Sequence, residues 1–236
     1  MTKKIAENAT TANFASASVT RRLYCAALSP PILYLHGFAS GPGSTKGVAF
    51  ERHFAARGIA VRRLDLRVPS FPHLRLSAML ATVRAAITGD VVLIGSSLGG
   101  LAAARAAERE PRVRALILLA PAFQLAARWR AQLGPAWDAW RASGWREVTD
   151  YTTGQPARVD FGFVEEVAAI DVGWPDVRAP TLILHGRGDD VVPAAQSRQF
   201  AAGRPNVRLI ELDDGHELVA SLPRLLAEAE AFLAAI

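Results

Sequence analysis

Cysteine and lysine are nearly missing from this sequence. One cysteine, Cys25, stands among 236 residues. A lone thiol excludes an internal disulfide framework and a cysteine-based metal cluster, and it suits a reducing compartment, so a cytoplasmic location is expected. Cys25 is also a poor nucleophile candidate, because it precedes the first clear strand and has no motif around it. Lysine is confined to Lys3, Lys4 and Lys46, so arginine supplies nearly all of the 27 basic residues behind the net charge of +5. These arginines are scattered, as at Arg62, Arg63 and Arg67 or at Arg112 and Arg114. With no basic block, nucleic-acid binding is not expected, and a solvated surface is the default for such side chains. No apolar run reaches membrane-spanning length. Met1 to Thr20 is rich in Thr, Ala, Ser and Asn and lacks the apolar core of a secretory signal. Residues 1–22 therefore read as a flexible tail ahead of a single domain over 23–236. Phosphate-binding spacing is missing too. Gly41-Pro42-Gly43-Ser44-Thr45-Lys46-Gly47 opens a helix after a strand, but Lys46 follows Thr45 and occupies the place of the third glycine of a dinucleotide fingerprint. Ser44 or Thr45 caps that helix instead, and neither a cofactor nor a metal is expected.

What the chain does contain is Gly95-Ser96-Ser97-Leu98-Gly99-Gly100, behind the apolar run Val91 to Ile94 and ahead of the Ala-rich stretch Leu101 to Ala107. This is the setting of a nucleophile elbow, a strained strand-to-helix turn whose flanking glycines avoid a clash with neighbouring backbone. Ser97 is the candidate nucleophile. Ser96 fails, because the positions two before and two after it are Ile94 and Leu98. An elbow requires an acid and then a histidine later in the chain. His36, His53 and His73 precede Ser97, and His185 comes before any strand-end acid that could separate it from the serine. His216 remains, in Asp213-Asp214-Gly215-His216-Glu217 after the strand-like Val207 to Leu212, where functional groups collect in open α/β sheets. The first oxyanion donor is expected from the Leu98 amide, just after the nucleophile.

The acid is expected on the loop after the strand Thr181 to Leu184, which offers both Asp189 and Asp190. His185-Gly186-Arg187-Gly188-Asp189-Asp190-Val191-Val192-Pro193 resembles the H-G-x-x-D-x-x-V-P acid loop of the α/β-hydrolase superfamily. That resemblance implies Asp189 as the acid and leaves Asp190 as a solvated cap for the helix near Pro193. His36-Gly37-Phe38 resembles the superfamily's H-G-x loop, which implies the Phe38 amide as second oxyanion donor and a structural His36. The longer string His36 to Lys46 is similar to the H-G-F-x-S-x-P-x-S-x-K loop of small bacterial YqiA-like esterases. Gly95 to Gly100 with His185 to Pro193 is also similar to the acyl-protein and acyl-glucuronide thioesterases.

Apolar strand candidates lie at 32–35, 59–64, 91–94, 115–119, 181–184 and 207–212. Helical stretches fall near 45–57, 76–88, 98–109, 194–202 and 222–235. The alternation implies an α/β fold, a mostly parallel twisted sheet with helices on both faces. Residues 122–175 are too long for a simple connection and read as a cap insertion. They hold all five tryptophans, and Trp129, Trp137, Trp140, Phe161 and Phe163 are the candidates for a substrate pocket over Ser97, against the alternative that some form the cap's own core. The expected activity is hydrolysis of a small-molecule ester or thioester by Ser97, Asp189 and His216. An acyl-protein or acyl-CoA thioesterase and a non-catalytic binding module on the same scaffold are the alternatives.

Overall fold

The computed structural model describes residues 30–236. The proposed tail over 1–22 and Cys25 lie outside the described residues. Six strands form one sheet: β1 (Ile32–Leu35), β2 (Val61–Leu64), β3 (Val91–Ser96), β4 (Val113–Leu119), β7 (Thr181–Gly186) and β8 (Val207–Leu212). Their order is β2-β1-β3-β4-β7-β8 and every pairing is parallel. Parallel strands need crossovers, supplied by α1 (Thr45–Ala55), α2 (Leu76–Ala86), α3 (Leu98–Ala107) and, after β7, the helix Ala194–Ala201.

Period-2 alternation divides the strand side chains between two cores. Ile32, Tyr34, Val92, Ile94, Ile117, Leu119, Leu182 and Leu184 face Phe50 and Phe54 of α1 and Leu225 and Phe232 of the C-terminal helix Leu222–Ala234. Leu33, Leu35, Leu93, Leu116, Leu118 and Ile183 face the other way, toward α2, α3 and the cap. Both faces are thus covered, which is why the central strands read as continuous apolar runs. Two strands extend past their apolar runs. Gly95 and Ser96 pair with Leu118 and Leu119, and His185 and Gly186 with Glu211 and Leu212. Each extension carries a strand to the start of a loop that matters below. β2 begins at Val61 rather than at residue 59.

The segment after β4 folds as α4 (Leu125–Leu133), α5 (Pro135–Ser143), an antiparallel hairpin of β5 (Trp145–Asp150) and β6 (Gln155–Asp160), and α6 (Gly162–Ile170). The two remaining helices, Ala194–Ala201 and Leu222–Ala234, are α7 and α8. Among the described residues no helix is long and apolar enough to cross a membrane.

Candidate active site

β3 runs into α3 through Ser97, whose φ of 52° and ψ of −116° lie in a region that side chains rarely adopt. Such a conformation costs about 1–3 kcal/mol and persists where surrounding structure imposes it. Packing imposes it here. A Cβ on Gly95 would run into the Gly99 carbonyl, and one on Gly99 into the Leu35 carbonyl, so only glycine lets β1, β3 and α3 approach this closely. Ser97 N donates to Leu119 O at 2.9 Å, and Ser97 O accepts from Gly100, Leu101 and Ala122.

His216 Nε2 lies 3.1 Å from Ser97 Oγ, and its Nδ1 lies 2.8 Å from Asp189 Oδ2. A carboxylate only accepts, so Nδ1 carries the proton and the neutral ring's Nε2 is free to accept from the Ser97 hydroxyl. The loop that presents His216 is pinned from two sides. Asp214 accepts from Gly215 N and Ser221 N at 2.8 Å each, and Lys46 Nζ donates to Glu217 O at 2.5 Å. Asp189 has a fully buried side chain with polar partners at both oxygens. Oδ1 receives Val191 N at 3.0 Å and Val192 N at 2.7 Å, while Oδ2 also stands 3.1 Å from His185 Nε2. Burial alone would raise this carboxyl, but the hydrogen bonds from His185, His216 and Val192 N outweigh it and hold Asp189 below the usual carboxylate range. Asp190 is exposed, and the turn before α7 is capped by Asp189 and not by Asp190.

His185 itself is completely buried. Its Nε2 lies 2.8 Å from Val192 O and its Nδ1 2.7 Å from Ser197 Oγ, so Nε2 carries the proton and Ser197 donates to Nδ1. The sequence alone assigns no role to His185 or Ser197. The only available signal was that a histidine inside an apolar strand must find partners for both ring nitrogens.

Leu98 follows Ser97 directly, and Phe38 lines the same cleft as Ser97. Leu98 is the first residue of α3, where backbone N–H groups have no intrahelical acceptor, and among the described residues neither N–H has a protein acceptor. The loop before Phe38 lies against the serine: a methyl on Gly37 would stand 3.3 Å from Ser97 Cβ. His36 holds this loop. Its Nε2 accepts from Leu66 N at 3.0 Å and its Nδ1 donates to Gly37 O at 2.9 Å, and burial, outweighing the pull of Gly37 O and Asp65, lowers its pKa and keeps it neutral.

These groups open onto a cleft of about 460 Å³ walled by Phe38, Ser97, Leu125, Trp129, Val192 and His216, with Tyr151 at 72% exposure on its rim. Of the five aromatic pocket candidates, only Trp129 lines it. Trp137, Trp140, Phe161 and Phe163 turn away into an aromatic cluster: Trp137 and Trp140 meet Phe161 edge-on at 5.2 and 5.6 Å, and Phe163 stacks behind Phe38 at 5.7 Å. Burying Trp140 required an acceptor for its indole N–H, which it finds in Val159 O at 3.1 Å. Trp129 touches both sets, meeting Phe38 at 5.0 Å and Trp140 at 6.1 Å.

Residues 31–234 match the model of the Uncharacterised protein family (UPF0227). The chain belongs to that family. It is the YqiA-like group that the loop over 36–46 resembles. No curated protein sequence matches the chain. Among solved structures, mouse alpha/beta hydrolase domain-containing protein 10 is 24% identical over 87% of this chain and 90% of its own, with a TM-score of 0.74. Est1E from Butyrivibrio proteoclasticus, solved with ferulic acid bound, is 23% identical over 87% and 88%, at 0.75. Paleococcus ferrophilus monoacylglycerol lipase is 17% identical over 87% and 96%, at 0.67. At these identities the likeness shows the fold, which is that of the α/β hydrolases.

In this UPF0227 chain the cap is fastened to the sheet domain by three arginine–aspartate pairs. Arg67 meets Asp150 at 2.8 Å, Arg75 meets Asp160 through two bonds of 2.7 and 2.9 Å, and Arg105 meets Asp171 at 2.8 Å. Arg67 is therefore not the solvated surface residue its sequence context suggests. Tyr151 N also donates to Ala39 O at 2.8 Å, which lays the hairpin turn directly on the loop that carries Phe38.

Proposed function

We propose that the protein is a serine hydrolase that cleaves a carboxylic ester or thioester through an acyl-serine intermediate. One observation carries this reading: an unbroken hydrogen-bonded chain from Ser97 through His216 to the ionised Asp189, opening into a cleft. Ser97 Oγ attacks the carbonyl carbon while its proton moves to His216 Nε2. Asp189 fixes the imidazole tautomer and stabilises the imidazolium that forms. The carbonyl oxygen, now negative, accepts from the Phe38 and Leu98 amides, a donor pair of which each member is worth about 10²- to 10³-fold in rate. His216 then protonates the departing alcohol or thiol. Water, deprotonated by His216, attacks the acyl-serine by the same route and releases the acid and the free Ser97 hydroxyl.

Trp129 and Leu125 present an apolar wall to the acyl or leaving group, which favours apolar chains of small to medium length. The test is a panel of aryl esters and acyl thioesters of graded chain length, assayed with the wild type and Ser97→Ala. Turnover that falls by about 10³-fold or more in the variant supports the reading. Turnover unaffected by the substitution, or none on any member, contradicts it.

A further inference from the structure

Arg128, on α4, is only 9% exposed and lines the cleft that contains Ser97. A guanidinium stays charged in proteins, so hiding one costs free energy unless acceptors or an opposite charge surround it. Here the compensation is incomplete. Nη1 donates to Val191 O at 2.8 Å and weakly to Gln132 Oε1 at 3.4 Å. Nε is buried without an acceptor, and among the described residues Nη2 has none either. Asp189 and Asp171 act on Arg128 only from a distance, and burial, the dominant influence, lowers it to about 10, still charged at neutral pH. Lys46, the other cation of the cleft wall, is already engaged by Glu217 through its carbonyl at 2.5 Å and its carboxylate at 3.7 Å.

A strut that ties α4 to the loop after Asp189 would need Nη1 alone. Nη2 remains as a charged donor that is neither paired nor sealed off, and such a guanidinium N–H matches an oxygen of a carboxylate or phosphate. We propose, resting on the hydrolase reading above, that Arg128 is an anion subsite: the substrate carries a carboxylate or phosphate in addition to the ester or thioester carbonyl that Ser97 attacks. The oxyanion supplies an acceptor to Nη2, and Leu125 and Trp129 hold the apolar part between the two ends.

Two matched pairs of esters test this. Monoethyl adipate is compared with ethyl hexanoate, and butyryl glycerol phosphate with monobutyrin, by kcat/KM. The anionic member of at least one pair should be favoured by about 10- to 100-fold, the range expected of charge-assisted hydrogen bonds. Which pair shows the preference identifies the oxyanion. Arg128→Gln should lower that ratio by a similar factor. No anionic preference in either pair, or an equal loss on both members in Arg128→Gln, overturns the subsite. Should the variant fail to fold, inhibition of wild-type ethyl hexanoate hydrolysis by adipate or inorganic phosphate replaces it, and inhibition by neither overturns the proposal. Ser97-dependent turnover of the neutral esters without anionic preference sinks the subsite alone. No turnover of any of the four sinks the hydrolase reading and the subsite together.

Discussion

At the scale of single residues, the structural contrast between two adjacent aspartates is the sharpest feature of the site. Asp189 is enclosed by two histidines and two backbone amides, whereas Asp190 is exposed. Only the first can orient His216, so Asp189→Ala should lower kcat far more than Asp190→Ala, by about 10²-fold or more against a few-fold. A larger loss at Asp190 would reverse the assignment. The ionisation of Asp189 also gives a signed pH dependence. A carboxyl whose native pKa is depressed stabilises the fold above its unfolded value of about 4, and the contribution drains away as pH falls toward the native value. The gap in Tm between wild type and Asp189→Asn should therefore be steady above about pH 5 and narrow below about pH 4. A gap that stays constant into stronger acid would show that the hydrogen bonds of the carboxylate do not favour its ionised form.

At the scale of elements, the cap combines a wall and a core. Trp140, 2% exposed with its indole N–H bonded inside the cluster, should cost about 3–5 kcal/mol when replaced by alanine, with chain-length preference unchanged. Trp129→Ala should instead shift the preferred acyl length, since each methylene it buries is worth about 0.8 kcal/mol. Chain-length profiles and denaturant midpoints of the two variants check this, and an identical profile in Trp129→Ala would assign specificity to the 36–47 loop. The same contrast explains what could be read in advance. Val91 to Ile94 and Thr181 to Leu184 announce themselves as buried strands because both faces of the sheet are covered. Ser97 and His216 stand out in the sequence because the elbow needs glycines at fixed spacing and dictates chain order. Asp189 was separable from Asp190 only through a resemblance, because burial of one carboxylate among histidines is a tertiary fact. A tryptophan reads the same whether it walls a cleft or fills a cluster, so the cap aromatics could not be sorted. Arg128 was invisible among two dozen arginines for the same reason: its burial arises only when α4 folds over the loop at Val191.

At the scale of the whole molecule, a parallel sheet gathers distant segments at one edge. The loops after β1, β3, β7 and β8 carry Phe38, Ser97, Asp189 and His216, so Ser97 and His216, 119 positions apart, come within hydrogen-bond distance. The cap enters between β4 and β7 and closes over that edge, held by Arg67, Arg75 and Arg105. An arginine-rich chain with a net charge of +5 thus commits part of its charge to internal fastening, and Arg128 to the cleft itself. The central claim is that this arrangement makes Ser97 a nucleophile. Peptide mass mapping after reaction with a fluorophosphonate tests it most directly. The account predicts a single adduct on the peptide containing Ser97, absent in Ser97→Ala and strongly slowed in His216→Ala. Folded wild-type protein that takes up no label, or a label that survives Ser97→Ala, would contradict it.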